Sequence, residues 1–224
     1  MFVPKLNEEE ARFLVLRFLS QAPKRQGSIE EIRNSIRTSR EMGKDDLRPN
    51  PTRSNAPFWH QIVQNATDRT ILDQGYVVMV VPPPNKIVRV TDAGLEAVKP
   101  HIAFFERHPD IDTYTMFDDT MLDDLYMRNR TKLPFRNARN MAEFVKSRAF
   151  ASLTRSDLEA NGFATTILDG LEKKYRSASG PLSEEAAFRL RQIQAWRDTR
   201  DTYDTVGGWA DAIGKMPFRV SGTN

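Results

Sequence analysis

Cysteine is absent from all 224 residues, which removes disulfides, thiol nucleophiles and Cys-ligated zinc together. Long apolar runs are absent too. The longest, Val77 to Val81, suits a strand and falls far short of the roughly 18 residues that suggest a membrane span. The opening MFVPKLNEEE lacks the basic-then-apolar order of a secretory leader, so a cytoplasmic location is expected. There are only three histidines, without a His-x-x-x-His helix. His108-Pro109-Asp110-x-Asp112 is therefore a weak metal motif. No Gly-rich phosphate loop and no Ser/His/Asp arrangement is visible. No metal or other cofactor and no catalytic residue is assigned, and an enzyme is the less favoured class.

What remains is an ordinary globular composition, 39% hydrophobic and 28% charged. Net charge is only +3, and its placement says more than its size. Residues 1–100 hold 15 Lys/Arg against 12 Asp/Glu, and residues 101–224 hold 18 of each. Within that neutral half the signs separate. Six aspartates lie between Asp110 and Asp124 with no Lys or Arg, and eight basic residues lie between Arg128 and Arg155 against Glu143 alone. Such blocks can repel, steer or dock a partner. RNRTKLPFRNARN suits phosphate contact through Arg136 and Arg139, or it neutralises the acidic run beside it. The paired aspartates 118–119 and 123–124 could face a hard cation, but a solvated acidic helix or an inhibitory patch is the commoner use of such spacing.

Along the chain, Asn7 caps a first helix over Glu8–Ser20, and Gln21–Gly27 reads as a polar linker. Ser28-Ile29-Glu30-Glu31 is a capping box, with Ile29, Ile32 and Ile36 at helical spacing to about Thr38. Residues 39–56 read as a long loop or irregular insertion. PFWHQIVQNATDRTILDQ reads as a third helix closed by Gly75, followed by strands YVVMVV and KIVRV around Pro82-Pro83-Pro84-Asn85, then by a helix capped at Thr91. At 100° per residue, Trp59, Ile62, Val63 and Ala66 fall in an arc of about 100°, and His60, Gln61, Gln64, Asn65 and Asp68 in an opposite arc of about 140°. The first set wants a core. The second suits base edges, since Asn and Gln pair bidentately with adenine, or it simply coats a solvated helix. Lys86 and Arg89 on the stiff hairpin are placed to reach phosphate, as are Arg48, Arg53 and Arg69; an ordinary solvated hairpin would read the same.

Three helices and a two-stranded ribbon are the layout of a winged helix-turn-helix. The run Trp59…Ala66…Ile71…Gly75, then an apolar strand, then Val90-Thr91-Asp92-Ala93-Gly94 entering a helix, resembles the winged-helix domain at the N-terminus of Mrr-type restriction-system proteins. The likeness covers about residues 8–99 and implies double-stranded DNA binding in a restriction, defence or regulatory setting; it transfers no nuclease. A nuclease core of the Asp…Glu-x-Lys type finds its letters in Glu172-Lys173-Lys174 with Asp157 or Asp169 upstream, but ATTILDGLEKKYR reads as helix.

Residues 137–217 read as helical throughout, with a long helix from Pro181 to about Tyr203 that turns Phe188, Ile193 and Trp196 inward and Arg189, Arg191, Arg197 and Arg200 outward. SDLEANGFATTILDGLEKK has the rhythm of a second helix-turn-helix or of a plain helical corner. The expected architecture is mainly α with a small β-ribbon: a winged-helix domain at 1–100, an acidic connecting segment at 101–136, and a helical domain at 137–224 for homodimerisation or docking a protein partner. The expected function is sequence- or shape-selective binding of double-stranded DNA. A protein–protein adaptor and a metal-dependent nuclease are the rivals, and no membrane association is expected.

Overall fold

The computed structural model describes residues 1–118, 120, 167–177 and 181–198. These fall into two compact units, one running from Val3 to Phe117 and the other holding Met1–Phe2 and the chain from Asp118. The described residues are mainly helical with one small three-stranded antiparallel sheet.

The first unit is built around helix α1 (Glu8–Gln21), whose Phe13, Leu14, Val15, Leu16 and Leu19 are all buried. A helix apolar on so many sides belongs in the middle of a core. Asn7 caps it, its side chain accepting from the Glu10 N–H at 2.9 Å, and three glutamates in the first turn suit the positive helix end. The expected polar linker contains an unforeseen strand, β1 (Gln26–Ser28). Helix α2 (Ile29–Ser39) follows, with its capping box formed and Ile32 and Ile36 inward.

Residues 39–56 are not a loose insertion. They hold a short helix α3 (Lys44–Leu47) and a turn closed by a bridge between Pro49 and Pro57. What fixes them is a buried polar hub around Arg40. Its guanidinium donates to Glu10 at 2.9 Å, Asp46 at 3.0 Å and the carbonyls of Pro4 and Glu41 at 2.7 Å each. Asp46 also accepts from the Leu6 and Gly43 N–H groups, and Glu10 from the Thr113 hydroxyl at 2.6 Å. Burial pushes the Glu10 carboxyl above its ordinary range, and Arg40 pulls it back only in part.

Helix α4 (Phe58–Asn65) runs on through a wider π turn over Ala66–Ile71, and Gly75 ends it at φ +72°, a left-handed position that favours glycine. Strands β2 (Val77–Val81) and β3 (Ile87–Val90) follow as expected. The sheet order is β1-β3-β2, with Gln26 opposite Arg89, Gly27 opposite Val88 and Ser28 opposite Ile87. Gly27 lets β1 lie close against α1: a Cβ there would be 2.6 Å from the Phe18 ring.

Helix α5 (Asp92–Arg107) is capped by Thr91, which accepts from the Gly94 N–H at 3.1 Å. It passes through Pro100 rather than ending there, so the unit reaches beyond residue 100. His101, Phe104 and Phe105 on α5, with Tyr114, Met116 and Phe117 on α6 (Thr113–Phe117), complete the core. The first part of the expected acidic connector is thus core-forming. Phe13 stacks on Phe117 at 5.3 Å between ring centres.

In the second unit, α7 (Ile167–Arg176) packs on α8 (Glu184–Asp198). Phe188, Ile193 and Trp196 are buried as expected, and Arg191 is exposed. Arg189 is not outward. It is buried and donates to Asp118 at 2.5 Å, so this aspartate is a structural counter-ion rather than part of a solvated patch. The expected helices over residues 137–166, the basic stretch 128–155 and the chain beyond Asp198 lie outside the described residues. Among the described residues no helix is long and apolar enough to cross a membrane.

Candidate nucleic-acid interface

Helix α4 divides as its periodicity requires. Trp59 and Val63 are buried, and Ala66 in the π turn is fully so, but Ile62, expected inward with them, is only half-buried. His60, Gln61, Gln64 and Asn65 are half-buried on the other side. The polar side is organised by neighbouring elements, in ways the helical wheel does not reveal.

Gln64 is occupied at both ends. Its oxygen accepts from Arg33 of α2 at 3.3 Å, and its nitrogen donates to Asp68 at 2.5 Å. Asp68 in turn forms an ion pair with Lys86 at the start of β3. Lys86 was expected to reach outward for phosphate; instead it is only 7% exposed and engaged with Asp68. The reason is local: the hairpin folds its first basic residue back against the π turn, where the carboxylate supplies a counter-charge. A chain of polar contacts therefore runs from α2 across α4 to the hairpin.

Gln61 has one fixed partner, the Asn50 side chain, whose nitrogen donates to the Gln61 oxygen at 2.5 Å. Among the described residues Asn65, half-buried, has no side-chain hydrogen-bond partner. His60 meets Trp59 edge-on at 4.3 Å between ring centres. Burial, then the nearby charges of Arg33 and Arg37, hold its pKa below the ordinary histidine value, so it is neutral at pH 7.

The other expected phosphate contacts stay at the surface. Arg53, Arg69 and Arg89 are exposed. Arg48 is exposed as well and lies 3.7 Å from an equally exposed Asp45, a pair too solvated to withhold it from a ligand. Arg136 and Arg139 lie outside the described residues. Two cations were missed, Arg33 and Arg37 of α2. The signal was available, since with Ile32 and Ile36 inward these arginines fall on the neighbouring polar side.

Chemically, the surface offers amide donors and acceptors, a neutral imidazole and separate guanidinium groups. That set suits a polyanion with hydrogen-bonding edges. Among the described residues no group of three or more His, Cys, Asp or Glu is placed to hold a metal ion. Glu172 of the nuclease-like letters sits on α7 and accepts from Arg176 at 2.7 Å, where a strand would be needed.

Comparison with known proteins adds no relative: no family model, no curated protein and no solved structure matches the chain.

Proposed function

We propose that residues 3–117 form a winged-helix module that binds double-stranded DNA, with α4 as the recognition helix and the β2–β3 hairpin as the wing. The observation that carries this reading is the pairing of β1 with β3. It joins the segment between α1 and α2 to the hairpin and gives the order helix, strand, helix, short helix, helix, hairpin around one core. The polar side of α4 fits beside it. Gln61, Asn65 and His60 would face base edges, and Arg48, Arg53, Arg69 and Arg89, joined by Arg37, would meet phosphates. Gln64 and Lys86 leave the set of direct contacts and become supports. The setting would be transcription regulation or a restriction/defence system, as the likeness to Mrr-type N-terminal domains implies. The helices after Asp118 would serve dimerisation or partner docking.

The test is a gel shift on mixed-sequence duplex DNA across a salt series. Binding that weakens linearly in log K against log salt is the expected outcome. No shift even near about 50 mM salt would remove the DNA reading.

A second reading, a protein–protein adaptor, has one observation in its favour. Val78, Met79 and Val80 are exposed in succession on β2, an edge strand with no charged residue of its own. Replacing Val78 and Val80 by threonine abolishes partner capture under the second reading, whereas under the first it leaves the salt slope of DNA binding unchanged, since no cation is lost.

A further inference from the structure

Resting on the DNA-binding proposal, the geometry points to a preset polarity in the reading surface: Gln61 shows DNA only hydrogen-bond donors, and Asn65 shows a donor and an acceptor. We infer that Gln61 selects guanine, whose major-groove edge carries two acceptors, O6 and N7, and that Asn65 selects adenine, which matches one of each.

The polarity follows from which groups can only donate. The Thr52 backbone N–H has no acceptor capacity, and it meets one end of the Asn50 side chain at 3.1 Å. That end must be the Asn50 oxygen, which also accepts from the Thr52 hydroxyl at 2.7 Å. The Asn50 nitrogen is thereby turned toward Gln61, and the group it meets there at 2.5 Å must be the Gln61 oxygen. Gln61 is left with its NH2 group, two donors, for a ligand. A free glutamine would rotate to suit either kind of edge; this one is held.

The same logic removes Gln64 from direct reading. Arg33 can only donate, so it fixes the Gln64 oxygen, and the Asp68 carboxylate fixes its nitrogen. Gln64 is a positioning residue that ties α2 and the π turn to α4. Asn50 is a specificity-determining residue that touches no base, being 3% exposed.

Two substitutions reverse the polarity from different places. In Asn50→Asp, one carboxylate oxygen still accepts from Thr52, and the other can only accept, so Gln61 must turn its nitrogen inward and its oxygen toward DNA. In Gln61→Glu, the reading group itself becomes an acceptor. Both variants and the unaltered chain are put through selection of bound duplexes from a random pool, with circular dichroism to verify folding. The unaltered chain is expected to enrich guanine at one position and adenine at a neighbouring one. Both variants are expected to exchange that guanine for cytosine, whose N4 donates, by about tenfold or more, while the adenine position holds.

If Asn50→Asp folds and weakens all sequences alike with the guanine preference intact, the polarity inference fails while DNA binding stands. If Asn50→Asp does not fold, Gln61→Glu decides in the same way. If the unaltered chain enriches no sequence but still shifts duplex DNA, base reading by Gln61 is wrong. If it binds no duplex at all, the functional proposal falls and takes this one with it.

Discussion

At the scale of single residues, the side chains that behave unexpectedly are polar ones whose partners are distant in sequence. His101 is one example. On α5 it is buried and packs edge-on to Phe13 at 6.3 Å between ring centres. Burial holds its pKa down at about 4, against an ordinary 6.5. In the unfolded chain the imidazole takes up a proton near 6.5, and in the folded chain only near 4. Between those values the unfolded state binds more protons. The stability associated with the neutral ring is therefore complete above pH 6.5 and is lost progressively as the pH falls toward 4. The loss approaches about 3 kcal/mol at the bottom of that window. Urea unfolding at pH 7 and at pH 4.5 should show it. His101→Phe, which keeps a ring against Phe13, should lose less stability over the same interval than the unaltered chain. Equal losses would mean that His101 titrates normally.

Individual elements show which physical signals a sequence carries. Helices α1, α2 and α5 were legible to within a residue or two at their capped ends because their caps act over three or four residues: Asn7 on Glu10, Ser28 on Glu31, Thr91 on Gly94. Helix α3 was not legible. Its four residues, KDDL, have no apolar period, and the segment around it is positioned by Arg40, which reaches back 30 residues to Glu10 and forward six to Asp46. No local pattern announces such a hub. Strand β1 was hidden for a similar reason, since three residues of QGS become a strand only because β3 offers them partners. The hub makes a strong demand on stability. Arg40→Met would leave the Glu10 and Asp46 carboxylates buried without their cation, an imbalance worth about 3–5 kcal/mol. Denaturant unfolding of the intact chain should register that loss, with Arg37→Met on the exposed side of α2 as the control near zero. Gly94→Ala should also be costly, since a Cβ at that position would sit 2.2 Å from the Tyr76 carbonyl oxygen, a backbone atom with no means of swinging aside. A loss of about 2 kcal/mol or more is expected in the same unfolding experiment.

For the molecule as a whole, the question is how a nearly neutral unit could hold DNA. Val3–Phe117 carries 16 Lys/Arg and 15 Asp/Glu, so no broad positive field is available. Part of the negative charge is internal: Glu10 and Asp46 are buried around Arg40, and Lys86 and Asp68 offset one another. What remains for a ligand is a few discrete arginines, which implies a modest salt dependence set by the number of phosphates they reach. Most of these arginines were legible in the sequence, and Lys86 looked like one of them, because nothing in NKIVRV distinguishes a lysine folded onto Asp68 from one extended into solvent. The two kinds of cation separate cleanly in a salt series. If the proposed DNA binding holds, replacing Arg89 by glutamine should make the slope of log K against log salt less negative by about 0.9, the value of one lost phosphate contact. The paired change Asp68→Asn with Lys86→Gln removes a cation that the helix has already neutralised, so affinity should fall a little through loosened support while the slope stays where it was. A slope that drops by about one for the pair would place Lys86 on the DNA backbone, and the support assigned to it between the π turn and the hairpin would be wrong.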